Sequence, residues 1–314
     1  MKTMELILSA ALLALAAGAA SAQVHKAEAA FPVEPELLVD DPFGGCEGIS
    51  FNGEGRLFAT CNRALWEIDG DLSVRQIAEL HSNLGAAGIG ERDLLVADFG
   101  PTNAFRHGRN DDGIVWRITP EGEKTEHALG IGDPNFVLVR SDKSYLVSDD
   151  ATADIYLVSP EGDVELFTTA VNHPNGLAFS LDESVLYVGQ IFTNIRPVVP
   201  DDTVWAIKLE DGRPKKDAKL IARTGPGSAI DGLATDRLGR VYIAANGAGR
   251  LWRYDPKNDE MTLIAEGMFG LASLAFGEGD FDHQSIYATA TFAAGRGGKI
   301  WRIPVGIEGA RLVR

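Results

Sequence analysis

Five short segments of the chain begin alike. EGISF, PNFVLV, PNGLAF, DGLAT and LASLAF each open an alternating apolar run, and aligning them puts Glu47, Asn135, Asn175, Asp231 and Ala272 at one equivalent position. Four of these five side chains carry oxygen, as two carboxylates and two amides. Oxygen donors without sulfur or a histidine pair are the ligand set of a hard cation. Ca²⁺ suits them better than Mg²⁺ because it tolerates irregular geometry and leaves positions open for water or substrate. A sixth segment, HSNLGAAGIG, offers only Leu84 or Gly85 at that position. Asn-Gly and Asp-Gly are also ordinary turn dipeptides. Against a turn, each unit has its own turn a few residues later (NGEG, RSDK, SLDES, DRLG), and the polar residue keeps its register through four units.

Other reactive residues fall at predictable distances from these strands. The strand after each segment returns to the same end, so Asp98, Asp149, Gln190 and Asn246, which close those returning strands, are possible polar groups of a pocket. The loops that follow are longest at Phe99 to Asp112, Ile191 to Asp202 and Thr291 to Gly298, and bring Phe105, Arg106, His107, Phe192 and Arg196 to the same side. Asn135, Asp149, His107 and Gln190 are therefore the candidate substrate contacts, and His107 and His173 are candidate proton-transfer groups. No G-x-S-x-G occurs, which removes the commonest serine-hydrolase signature. Cys46 and Cys61 lie symmetrically about the NGEG turn and face each other across one hairpin, so a disulfide between them is plausible.

The element that positions these residues repeats. ALWEIDGD, GIVWRITPEG, DIYLVSPEG, TVWAIKLEDG, RLWRYDPKN and KIWRIPVG place Trp66, Trp116, Tyr156, Trp205, Trp252 and Trp301 in one slot, and all five tryptophans of the chain occupy it. The mean spacing is about 47 residues, and each unit holds about four short alternating runs with almost no helical period. Six such units predict an all-β, six-bladed β-propeller with four antiparallel strands per blade. Its innermost strands surround a central channel, so equivalent strand starts converge at one depth. The strand that closes the last blade could come from Glu36 to Val39, from Ala310 to Val313, or from both.

The motifs CEGISFNGEGRLFAT, HPNGLAFSLDESVLYV and AIDGLATDRLGRVYIA resemble the metal-ligand strands of the SMP-30/gluconolactonase/LRE-like family, six-bladed propellers that include calcium-dependent lactonases. The resemblance covers essentially the whole chain after its first 22 residues and implies Ca²⁺ on Glu47, Asn175 and Asp231, with Asn135 in GDPNFVLV at the family's fourth position. It also implies hydrolysis of a small-molecule lactone or ester, with Asp231 beside the metal as the candidate general base. Asp133 stands where sugar-lactonase members carry an arginine, and Phe136 where many gluconolactonase-like members carry aspartate. A phosphotriesterase-type hydrolase on the same metal set and a non-enzymatic binding propeller are the other functions this arrangement allows.

Composition bounds the setting. The chain has 314 residues, with 45 acidic against 29 basic side chains and a net charge of -16, so nucleic acid and anionic membrane surfaces are not expected partners. Lys2, the apolar stretch from Leu6 to Ala17 and the small residues Ala20-Ser21-Ala22 read as a secretory signal cut before Gln23. The expected organisation is thus a signal peptide over 1–22 and one propeller over 23–314, exported to the periplasm or beyond. Oligomeric state is not encoded in any pattern found.

Overall fold

The computed structural model describes residues 30–40, 44–101, 111–215, 217–291 and 298–311. It is the predicted six-bladed propeller. Blade 1 is built from Cys46–Phe51, Leu57–Cys61, Ala64–Ile68 and Val74–Glu79, and blade 2 from Ala86–Ile89, Asp93–Asp98, Gly113–Ile118 and Lys124–Ile131. Pro134–Val139, Tyr145–Asp149, Ile155–Val158 and Val164–Thr168 make blade 3. Blade 4 runs Pro174–Phe179, Val185–Gln190, Thr203–Glu210 and Lys219–Arg223, and carries an inserted hairpin of Phe192–Ile195 with Val198–Pro200. Blade 5 is Ile230–Thr235, Val241–Ala245, Arg250–Asp255 and Glu260–Glu266.

Blade 6 takes Leu271–Phe276, Ser285–Ala290 and Lys299–Pro304 from the end of the chain and Glu36–Asp40 from its beginning. Glu36 pairs with Arg302 and Asp40 with Lys299, so the ring is closed by the N-terminal segment. Among the described residues the C-terminal segment does not add to that sheet. Gly309 bridges Asp236, and the amide of Ala310 donates to the Thr235 carbonyl, tying the tail to blade 5.

Alternation along each strand explains the core. Successive side chains point to opposite faces, so Tyr145 and Val147 pack toward blade 2 while Leu146 packs toward blade 4. The buried apolar residues accordingly form six clusters, one between each pair of neighbouring blades, including the pair that closes the ring. The second strands, covered on both sides, are buried along their whole length in blades 1, 3, 5 and 6. The aromatic slot falls on the third strand of every blade, where Trp66 Nε1 donates to the Cys61 carbonyl, Trp116 Nε1 to Asp98 and Trp205 Nε1 to Gln190. In blades 1, 2 and 4 the slot is therefore a contact between the third strand and the end of the second, while the buried Trp252 and Trp301 indole nitrogens have no hydrogen-bond partner among the described residues. Among the described residues no helix is long and apolar enough to cross a membrane.

Candidate functional site

The five aligned segments are innermost strands, and each is interrupted at the same place. Pairing with the second strand shifts between Cys46 and Ile49, Pro134 and Val137, Pro174 and Leu177, Ile230 and Leu233, and Leu271 and Leu274. The residues inside these bulges are Glu47, Asn135, Asn175, Asp231 and Ala272, each with its successor. A bulge inserts a residue, bends the strand and re-aims a side chain. In blade 2 the innermost strand pairs without such a shift, from Ala86 with Val96 to Ile89 with Asp93. Blade 2 thus lacks both the polar residue and the bulge, whereas blade 6 keeps the bulge around Ala272, and Leu84 of blade 2 goes into the core.

The turn-dipeptide alternative fails on the same geometry. Glu47-Gly48, Asn175-Gly176 and Asp231-Gly232 lie inside strands, and their glycines answer to crowding between blades. A Cβ on Gly48 would lie 2.2 Å from the Leu84 carbonyl oxygen, on Gly176 2.1 Å from that of Asp231, and on Gly232 2.7 Å from that of Ala272. A left-handed residue precedes most of the bulges by two positions, at Gly45, His173, Ala229 and Gly270.

Hydrogen bonding links Glu47 with Asn135, and electrostatic repulsion links it with Asp231. Asn135 Nδ2 donates to Glu47 Oε1 at 3.2 Å, reaching past blade 2, and to Asp150 Oδ2 at 3.0 Å. Asn246 Nδ2 donates to Asp231 Oδ2 at 2.9 Å and to Thr291 Oγ1 at 3.0 Å. Asn175 is 0% exposed, and neither its amide nitrogen nor its amide oxygen has a hydrogen-bond partner among the described residues. Asp150, buried beside it in the sequence of blades, has one oxygen in the same condition.

The charges are uncompensated. Loss of hydration, then repulsion from Asp231 and Asp150, hold the Glu47 carboxyl well above the ordinary carboxylate range, against the hydrogen bond from Asn135. Burial raises Asp150 likewise, with Asp149 and Asp133 adding repulsion. Burial raises Asp231, opposed by donation from Asn246 and the Gly232 amide. Among the described residues no Lys or Arg pairs with Glu47, Asp150 or Asp231. No group of three His, Cys, Asp or Glu side chains close enough to hold a metal occurs there either. The four aligned donors, with their two amides, are a set of a different kind: few charges, all oxygen, and one amide without a hydrogen-bond partner among the described residues.

Asp150 and Asn246 occupy one structural position, the residue just past the end of the second strand, shared with Asn62 and Thr291. Sequence reading reaches Asn246 but stops one residue short at Asp149. Asp149 accepts the Ala151 amide at 3.0 Å and so serves its own turn. Gln190 donates to the Phe192 carbonyl and accepts from Trp205, and Asp98 accepts from Ser82, His81 and Trp116. The contacts of these three are local ones. His173 Nδ1 lies 2.9 Å from the Asp150 carbonyl, which only accepts, so Nδ1 carries a hydrogen and donates it there. Its ring meets Phe192 edge-on, and its φ of 44° is fixed by backbone bonds to Thr152 and Ile191. Phe192 and Arg196 belong to the inserted hairpin and its turn. Phe105, Arg106 and His107 lie outside the described residues. The sulfurs of Cys46 and Cys61 are bonded, joining directly paired residues next to Glu47.

The description SMP-30/Gluconolactonase/LRE-like region matches residues 130–291, half of the chain. The chain belongs to this family. The match contains Asn135, Asn175 and Asp231, while Glu47 lies outside it and joins them through its bulge. Pentonolactonase XacC of Haloferax volcanii is 26% identical over 194 residues, 60% of this chain and 64% of that protein. Gluconolactonase of Zymomonas mobilis is 26% identical over 160 residues, 48% of this chain and 42% of the relative. The chain thus aligns with less than two thirds of either curated relative. Among solved structures, the calcium-binding protein regucalcin from Agrobacterium tumefaciens superposes with a TM-score of 0.69 at 20% identity, covering 90% of this chain and 98% of that one. At that identity the likeness is one of fold.

Proposed function

We propose that the chain is a lactone hydrolase of gluconolactonase type that works with a divalent cation, Ca²⁺, held by Glu47, Asn135, Asn175 and Asp231. The observation that carries this reading is Asn175, a buried amide without a hydrogen-bond partner among the described residues, at the bulge position that three other blades fill with oxygen-bearing side chains. An unpaired buried amide costs about 1–3 kcal/mol, and nearby carboxylates without a counter-charge add to that cost. Both are relieved by a hard cation. Family membership and two relatives named as lactonases support the same substrate class.

A bound cation would supply polarisation of the lactone carbonyl and stabilisation of the charge that develops on its oxygen. Asp231 accepts the proton of the attacking water, and Asn246 holds that carboxylate in orientation through Oδ2. Water oxygen bonds to the carbonyl carbon, the ring C–O bond breaks, and the proton passes to the departing ring oxygen, giving a hydroxy acid. Of the two departures from sugar lactonases, Phe136 packs between blades 3 and 4, and Asp133 is fully buried. Neither is the residue type that those family members carry at its position. Export, read from residues 1–22, would place the reaction outside the cytoplasm.

The test is acid release from a panel of sugar and aliphatic lactones by protein stripped of metal and resupplied with Ca²⁺. Turnover restored by Ca²⁺, and lowered at least about 100-fold in a folded Asp231→Asn variant, is the expected result. Absence of turnover across the panel with Ca²⁺ present would refute the reading.

A further inference from the structure

The bulges are linked to one another around the channel by hydroxyl groups. In blade 1, Thr60 Oγ1 accepts the Gly48 amide at 2.8 Å and donates to the Leu84 carbonyl of blade 2 at 2.6 Å. Blade 3 repeats this with Ser148, whose Oγ accepts the Phe136 amide at 3.1 Å and donates to the Asn175 carbonyl of blade 4 at 2.8 Å. In blade 6, Thr289 Oγ1 accepts the Ser273 amide at 3.1 Å and donates to the Glu47 carbonyl of blade 1. The remaining joints are made by backbone alone. The Gly85 amide donates to the Asn135 carbonyl at 2.8 Å, and Gly176 and Gly232 sit against the carbonyls of Asp231 and Ala272.

Pairing explains why one slot does this. Thr60, Ser148, Gly189, Ala244 and Thr289 all lie on the second strand between the two paired residues that flank a bulge. A side chain there faces the amide that the bulge leaves without a ladder partner. A hydroxyl can accept that amide and still donate once, and the next blade's carbonyl is the acceptor within reach. Ser148 and Thr289 are buried, so each such bond stands in for water that cannot enter.

We propose that Ser148 and Thr289 are positioning residues of the cation site. Ser148 grips the backbone on both of its sides, beside Asn135 through Phe136 and at Asn175 itself. Thr289 holds the Glu47 backbone across the junction where the two ends of the chain meet. The bulged backbone directs the donor side chains, so these hydroxyls set the spacing of three of the four oxygens. Ligand orientation by such outer groups is worth about 10–100-fold in metal affinity. The inference rests on the cation reading.

The experiment is Ca²⁺ titration by calorimetry of wild type, S148A, S148T, T289V and T289S, with T235A as control. Thr235 also bonds across two blades, to the Phe179 carbonyl at 2.9 Å, at the far end of its strand from Asp231. Expected are about 10–100-fold weaker binding in S148A and T289V, recovery in S148T and T289S, and unchanged binding in T235A. Near-ultraviolet circular dichroism of the metal-free proteins establishes folding, and if S148A does not fold, T289V and its serine rescue decide. Binding by a folded S148A or T289V within about threefold of wild type would overturn the proposal while leaving the cation reading intact. Wild type that binds no Ca²⁺ would end both.

Discussion

Glu47 is the residue at which the proposed cation site would cost the metal-free protein stability. Its carboxylate is repelled by Asp231 and Asp150, and its one described side-chain hydrogen bond comes from Asn135. Such strain persists where the surroundings over-determine it, and it collects at functional sites. Glu47→Gln is therefore expected to melt higher than wild type in chelator, by on the order of 2 °C, and to lose most of the additional stabilisation that Ca²⁺ gives wild type. Melting curves with and without Ca²⁺ read both effects. A metal-free E47Q that melts lower, with its Ca²⁺ increment intact, would mean that Glu47 is a structural carboxylate.

At the scale of the element, the bulge is what the sequence conceals. Five polar or small residues can be aligned by counting because each begins a recognisable run, so Glu47, Asn135, Asn175 and Asp231 are legible. The extra residue in each bulge is not, because it changes no composition and leaves both flanking patterns intact. Its consequence is a shift of parity. Pro134 pairs with Asp149, so Asn135 meets Asp150, one residue beyond the aspartate that counting to the strand end reaches. A one-residue shift turns a side chain to the opposite face. The glycine after the donor is equally easy to misread, as half of a turn rather than as clearance between blades. Gly176→Ala tests that distinction. With a Cβ 2.1 Å from the Asp231 oxygen, the backbones of blades 4 and 5 must separate, and a loss of about 1–3 kcal/mol in stability is expected together with weaker Ca²⁺ binding. Denaturant unfolding within a few tenths of a kcal/mol of wild type would show that the joint is slack.

For the molecule as a whole, the period of the aromatic slot is sufficient to read blade number, because every blade carries an aromatic residue on its third strand, and the alternating runs within each unit give the strand count. Closure was not readable, since Glu36–Asp40 and the C-terminal segment have similar apolar alternation and only pairing separates them. The disulfide lies beside that closure, where Cys46 packs in the cluster shared by blades 6 and 1. Thiol titration of denatured, unreduced protein should find no reactive cysteine, and two reactive thiols would contradict the bond. The central claim is that bulges of four different blades present their oxygens to one cation. A crystal grown in Ca²⁺ and examined for its anomalous signal tests it most directly. A single peak in the channel bounded by Glu47, Asn135, Asn175 and Asp231 is the predicted result, and a well-ordered channel without one at saturating Ca²⁺ would contradict the account.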